Sequence, residues 1–189
     1  MPGFDFSQGL SLFIIAQLIG SVGLLVNVVS FQKKNSNDMI KLHIFANIAG
    51  VFHYLLLTQF TGVALCALVM ARNKASLHVP AKYMRALVAL SVIGVWAIVF
   101  LTYKNVFDIF GGICVTLAST ALLNKDDPMF FRLNHLAAAT CWFMFCLASL
   151  SIPGAVNSVM NVSSNIVGMI RHEARFHAFR ERLGIKQPA

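Results

Sequence analysis

Residues 20–33 read GSVGLLVNVVSFQK, and residues 112–125, 92 positions further on, read GICVTLASTALLNK. Laid over each other without a gap, Gly20 lands on Gly112, Leu25 on Leu117 and Lys33 on Lys125. The register holds outside this stretch. His43 meets His135, Ala46 meets Ala138, Leu55 meets Leu147, Gly62 meets Gly154 and Asn73 meets Asn165. Hydrophobic runs and polar breaks coincide at the same offset, which is the stronger sign of an internal repeat. Each half carries three long apolar segments, an odd number, so whatever joins the halves fixes their relative orientation.

Of the 189 residues, 58% are hydrophobic and only 12% charged, which excludes an ordinary soluble domain. A helix needs about 20 mostly apolar residues to cross the hydrocarbon of a bilayer. Seven segments approach that length: 10–31, 39–57, 60–73, 86–103, 106–123, 130–150 and 152–171. The third is short and is expected to run to about Leu77, with Arg72 and Lys74 snorkelling to the interface. In lipid each backbone amide must be paired within its own segment, so these are predicted helices. The predicted fold class is an all-α membrane protein of seven transmembrane helices.

The formal net charge is +8, which would suit nucleic acid, but the placement of the charges points elsewhere and no nucleic-acid partner is expected. If seven helices alternate, 14 of the 15 basic residues follow helices 1, 3, 5 and 7 and share one face; only Lys104 lies on the other. By the positive-inside rule the N-terminus is then outside and the C-terminus cytoplasmic. The N-terminal run carries Asp5 and no basic residue, and is too long for the core of a cleaved signal, so it is read as a retained span.

The repeat and the helix count together give a 3+1+3 plan: residues 10–77 form a first three-helix unit and 104–171 a second. Residues 78–103 supply a connector and a linking fourth helix. One extra crossing lets two odd-numbered units point the same way, as parallel repeats with a site near the midplane between them. Residues 172–189 are basic, with Phe176, Phe179 and Leu183 at helical spacing, and read as a short amphipathic helix on the anionic inner leaflet or as a basic tail that only sets topology.

Candidate site residues lie on three of the helices. Asn157, Asn161 and Asn165 recur every four residues on the last helix, with Ser158 and Ser164 beside them, so the amides share a face. Amides facing lipid are costly, and this face must look at other helices or at water. It is either the wall of a solute path or interhelical hydrogen-bonding glue. On the second helix His43, Asn47 and Tyr54 share a face, with His53 adjacent. His43 and His53 are ten residues apart, about 15 Å along a helix, too far to share one metal, whereas His43 and His135 can approach each other. Trp142, in the middle of the sixth segment, is either core or a stacking platform. The candidates for a substrate path are Asn47, His53, Trp142, Asn157 and Asn161.

No metal, catalytic residue or cofactor is expected. Cys66, Cys114, Cys141 and Cys146 fall within the apolar segments without metal-ligand or disulfide spacing and are read as small packing residues. No HExxH, GxSxG or phosphate-binding loop is present. No carboxylate falls in the middle of a segment, so coupling to protons or sodium has no obvious carrier.

The stretch SFQKKNSNDM at 30–39, then HYLLL at 53–57, Gly62, Arg72-Asn73 and the late Asn165…Arg171 pairing resemble the YgjV-type bacterial inner membrane proteins. That group is similar in turn to the MtN3/SWEET and PQ-loop proteins, whose helix plan is 3+1+3. The resemblance implies an inner membrane location and a small-solute transport role. The chain departs from the wider group in one respect: residues 10–31 and 106–123 contain no proline, so the kink that group builds into the first helix of each unit is missing.

Two functions follow as expectations. One is facilitated diffusion of an uncharged small polar solute along a path between the two units, in the lipid bilayer. The other is a scaffold or regulator that binds a protein or lipid partner without transport. Assembly into oligomers is compatible with both.

Overall fold

Two reversals of direction, at Thr58 and at Leu150, set how the helices meet, and both residues adopt a left-handed backbone with φ 54°. In a computed structural model, residues 6–31, 36–124 and 128–172 are described. They form seven α-helices with no strand among them: α1 Phe6–Phe31, α2 Ser36–Leu56, α3 Phe60–Ser76, α4 Met84–Thr102, α5 Val106–Ala121, α6 Pro128–Ala148 and α7 Ile152–His172. Short 3-10 turns at Ala81–Tyr83 and Leu122–Asn124 precede α4 and follow α5. The helices fall on the seven predicted segments to within a few residues at each end. The amphipathic tail expected over 172–189 lies, from residue 173 on, outside the described residues.

The two reversals are alike bond for bond. After α2, Thr58 N–H donates to Leu55 C=O (3.0 Å) and Gln59 N–H to Tyr54 C=O (2.9 Å). After α6, Leu150 N–H donates to Leu147 C=O (3.3 Å) and Ser151 N–H to Cys146 C=O (2.9 Å), each donor and acceptor 92 positions from its counterpart. Different side chains then serve the carbonyls of the left-handed residues. Lys104 Nζ donates to Thr58 C=O at 2.9 Å. Gln17 Nε2 donates to Leu150 C=O at 3.0 Å, while its Oε1 accepts Ile152 N–H at 3.1 Å. Gln17, on α1, thus holds the start of α7.

The starts of α5 and α7 are capped locally. Asn105 accepts Phe107 N–H (2.9 Å), and buried Asp108 accepts the N–H groups of Lys104 (2.8 Å) and Asn105 (3.1 Å). A carboxylate there also meets the positive end of the α5 dipole. Ser151 Oγ accepts Gly154 N–H at 3.2 Å at the start of α7.

Neighbour contacts run from α1 through α2 and α3 to α5, α6 and α7 and return to α1, while α4 sits on α3 and α5. The core between them is small: Tyr54, Phe145, Leu65, Val95 and Val115 are its main buried apolar residues. Large apolar side chains point outward instead. Phe100 is 84% exposed and Leu101 80%, and Leu18, Phe45, Phe52, Leu90 and Leu133 are exposed as well. An apolar surface of this extent would associate in water and is matched by hydrocarbon. Among the described residues two helical segments suffice by length and apolarity to cross a bilayer, Leu10–Ser30 and Ala81–Thr102, and Ile40–Leu56 and Val106–Ala121 are apolar but shorter. Polar residues dilute the others, Arg72 to Lys74 in α3 and the asparagines in α7.

Arg72 corrects an expectation. It does not snorkel: it is 6% exposed and bonded to Asn73 and to Ser119 of α5, because a hydroxyl on the neighbouring helix lies within its reach.

A β-branched residue in the left-handed region costs roughly 1–2 kcal/mol, and glycine relieves this at an entropic cost of about 0.5–1 kcal/mol. Thr58→Gly is therefore expected to raise stability by up to about 1 kcal/mol. Gly62→Ala is expected to lower it by about 1–3 kcal/mol, since its new Cβ would fall 2.6 Å from Tyr54 Cγ. Thermal unfolding in detergent, read with a dye that reacts with the buried thiols of Cys66 and Cys146 once unfolding uncovers them, checks both.

Candidate functional site

A cavity of about 150 Å3 lies between α1, α2, α3, α6 and α7. Gly20 and Gly23 of α1, Gly50 of α2 and Gly154 of α7 line it, each packed so closely that an added Cβ would fall within 3.2 Å of a neighbouring residue. Its polar lining consists of Asn27, Asn47, His53, Ser151 and Asn157, with Tyr54 and Trp142 as aromatic walls, and no lining residue is charged at neutral pH.

His53 is the most constrained of these groups. It is 3% exposed, and its Nδ1 lies 2.7 Å from Ala16 C=O. A carbonyl only accepts, so Nδ1 carries the proton, and in the neutral ring Nε2 is left to accept the hydroxyl hydrogen of Ser151 at 2.7 Å. One imidazole therefore ties α2 to α1 and to the reversal before α7. The ring also accounts for Gly20, where a Cβ would fall 2.7 Å from His53 Nδ1 and 2.9 Å from Pro153 Cγ.

Tyr54, next in sequence, is buried and meets Trp142 edge-on with ring centroids 5.9 Å apart and planes at 88°. Its hydroxyl lies 3.3 Å from Cys146 Sγ. Trp142 in turn leans on Phe145 at 5.0 Å. Trp142 is thus both core and cavity wall, presenting its ring to Tyr54 as well as to the open space.

The asparagines divide. Asn47 spends one amide hydrogen on His43 C=O of its own helix, at 2.7 Å. Asn157 lines the cavity, and its buried Oδ1 has no hydrogen-bond partner among the described residues. Asn161 is outside the cavity lining: its Oδ1 accepts from Asn165 Nδ2, which also donates to Asn161 C=O at 2.9 Å. Ser158 is buried and returns its hydrogen to Gly154 C=O at 3.0 Å, and Ser164 is exposed. The α7 face that looked uniform in sequence is open at Asn157 and self-paired at Asn161–Asn165.

Four of the five candidate path residues, Asn47, His53, Trp142 and Asn157, therefore line one space, and Asn161 does not. Asn27 and Ser151 join them without having been singled out, and Tyr54, which the sequence placed on the same helix face as Asn47, joins them too. For Asn27 there was a signal, an amide in the apolar second half of α1. For Ser151 there was none, since its role depends on a reversal that brings it to His53, 98 residues away. Below the cavity Ser30 Oγ–H donates to Asn27 C=O at 2.7 Å, and His43 Nε2 lies 3.0 Å from Ser30 Oγ.

Among the described residues no group of three or more His, Cys, Asp or Glu side chains could hold a metal.

The sequence matches the Imp-YgjV family, described as a bacterial inner membrane protein, over residues 14–175. The chain belongs to that family. Neither a curated protein nor a solved structure matches it. The family places it in the bacterial inner membrane, and the outward apolar surface has its natural solvent there. Within this Imp-YgjV protein the matched region contains every residue lining the cavity.

An unpaired buried acceptor costs about 1–3 kcal/mol, and Leu has nearly the volume of Asn. Asn157→Leu is accordingly expected to raise the thermal midpoint of the solute-free protein. His53→Leu strands the Ser151 hydroxyl and the Ala16 carbonyl and is expected to cost about 1–3 kcal/mol. Opposite signs for the two variants, measured side by side in detergent, are the expected result.

Proposed function

We propose that this protein carries a small uncharged polar solute across the inner membrane by facilitated diffusion, through the cavity at Asn157. The observation that carries this reading is a buried amide oxygen without a partner, facing an uncharged space that both ends of the chain help to enclose. A solute bringing an O–H or N–H donor would satisfy it. The volume holds about five waters at roughly 30 Å3 each, which suits a small polyol or amide.

The wider frame of the proposal is seven transmembrane helices in a 3+1+3 plan, N-terminus outside and C-terminus cytoplasmic, with the units related as parallel repeats. Three observations support it. The reversals at Thr58 and Leu150 share their backbone bonds at a spacing of 92. The α3–α5 contact has its counterpart in α7–α1. Basic residues gather on one face of the alternating plan. Likeness to the SWEET and PQ-loop group belongs to this proposal too. With no carboxylate in the lining, coupled uptake has no carrier, and no reaction is catalysed.

The self-paired Asn161–Asn165 amides favour a second reading for that part of α7, a structural element of a scaffold or regulator that meets a protein or lipid partner. Liposomes separate the two. Wild-type protein is expected to speed the entry of at least one neutral solute from a panel of polyols, urea and small amides. Asn157→Leu should remove at least nine-tenths of that rate, on the order of the roughly tenfold loss that follows from one hydrogen bond of about 1.4 kcal/mol. Asn161→Leu, outside the lining, should stay close to wild type. If no solute moves faster than in empty liposomes, transport is wrong and the partner-binding reading stands.

A further inference from the structure

Near the end of α3 the chain buries a cation away from the cavity. Arg72 is 6% exposed, and neither it nor its partners line the central space. Its Nε–H and one Nη2–H donate to Asn73 Oδ1 at 3.2 and 2.8 Å, and one Nη1–H donates to Ser119 Oγ of α5 at 2.6 Å. Ser119 sends its own hydrogen to Val115 C=O at 2.6 Å and so is free to accept. A guanidinium has five N–H groups. Three are accounted for, and one hydrogen remains on each terminal nitrogen.

Both of its acceptors are neutral. The described carboxylates are committed elsewhere: exposed Asp38 pairs with Lys41 at 3.3 Å, and Asp108 caps the opposite end of α5. The other ionisable side chains that feel the charge of Arg72 from neighbouring helices, His43 of α2, Cys114 of α5 and His135 of α6, are two imidazoles and a thiol rather than carboxylates. A buried cation normally keeps an anion beside it, and one held within a membrane protein is rarely without a partner. The guanidinium is also fixed in place, since Asn73 grips one edge and Ser119 anchors Nη1.

We infer that Arg72 is an oxyanion site, which takes a carboxylate or phosphate group on the hydrogens left at Nη1 and Nη2. The two terminal nitrogens are the end of the fork that engages paired oxygens, a geometry that a lysine cannot supply. The group can arrive as a free oxyanion or as a lipid headgroup, and the chemistry of recognition is the same.

The test uses the full chain, delipidated in dodecyl maltoside, a detergent without phosphate or carboxylate. Sodium phosphate and sodium acetate are titrated against chloride at fixed ionic strength while thermal unfolding is followed. A saturable rise in midpoint with either oxyanion and not with chloride is the expected result. Arg72→Lys should bind roughly tenfold more weakly, the loss of about one charge-assisted bond, and Arg72→Gln should show no rise. If Arg72→Gln does not fold, the lysine variant decides. Short-chain phosphatidylglycerol distinguishes the sources: saturation far below the phosphate concentration needed identifies a headgroup, and similar concentrations a free oxyanion. The inference is overturned if no oxyanion moves the wild-type midpoint, or if Arg72→Lys responds as wild type does. It is equally overturned if a response appears only after Asp126→Asn with Asp127→Asn, because a carboxylate of the chain itself would then be the partner.

Discussion

The ring of Tyr54 occupies the point where α2, α3, α6 and α7 converge, and its neighbours have given up volume to admit it. Gly62 of α3 lies flat against the ring, where a Cβ would come within 2.6 Å of Cγ. Gly154 of α7 leaves room beneath the hydroxyl, where a Cβ would stand 3.1 Å from the oxygen and 2.6 Å from Cys146 Sγ. Trp142 and Phe145 of α6 close the remaining sides, with centroids 5.9 and 5.6 Å away. Aromatic contacts of this kind are worth about 0.5–1.5 kcal/mol each beyond the area they bury. In a bilayer that matters more than it would in water, because lipid tails are as apolar as leucine and give helices little hydrophobic reason to associate. Shape and a few polar links must hold the assembly, and Tyr54 is where shape does so.

The polar links follow from the same constraint. With the outer faces largely apolar, a polar side chain that turns inward must find a partner there. Most succeed through short local bonds, such as Ser158 to Gly154 and Ser91 to Leu87 at 2.8 Å. A few reach across the fold: Gln17 to the reversal before α7, Thr61 to Thr102 at 2.9 Å, His53 to Ala16 and Ser151. Among the described residues Asn157 Oδ1 and Thr116 Oγ1 do not succeed, and of the two only Asn157 lines the cavity. A buried acceptor left open among so many that are closed is the reason to look for function at that position.

Much of the helix plan could be read from the chain because it depends on local order alone: apolar runs long enough to be helices, separated by polar breaks that coincide at a spacing of 92. The convergence of Asn47, His53, Trp142 and Asn157 was partly legible, since each is a polar or aromatic group that an apolar helix does not need. Asn161 shows where that reasoning stops. Its spacing from Asn157 is the same as its spacing from Asn165, and only coordinates tell which neighbour takes its amide. Arg72 shows the same limit for charge. A basic residue at the end of an apolar run reads as a side chain reaching for the interface, and the hydroxyl that draws it inward is 47 residues away on α5. Helix count, too, can be legible when membrane crossing is not, because α3, α6 and α7 are helical yet polar enough to fall short of a span by composition.

At the two reversals, positions 92 apart share backbone bonds and differ in side-chain chemistry, and the difference follows a pattern. His53 and Tyr54 of α2 stand opposite Phe145 and Cys146 of α6, their counterparts at that spacing. The first pair can hydrogen-bond at both members; the second is one apolar ring and one weakly polar thiol. Thr58 is served by Lys104 and Leu150 by Gln17, so even the caps on the matching reversals are not interchangeable. Asn157 faces Leu65 in the same comparison. A duplicated backbone with duplicated polar groups would give a site with two equivalent walls. Here α2 offers an imidazole already committed to both of its bonds, α7 offers an amide oxygen committed to none, and α6 offers an aromatic surface. Across the 92-residue comparison the walls of this space are therefore unequal, and the buried open acceptor stands on α7.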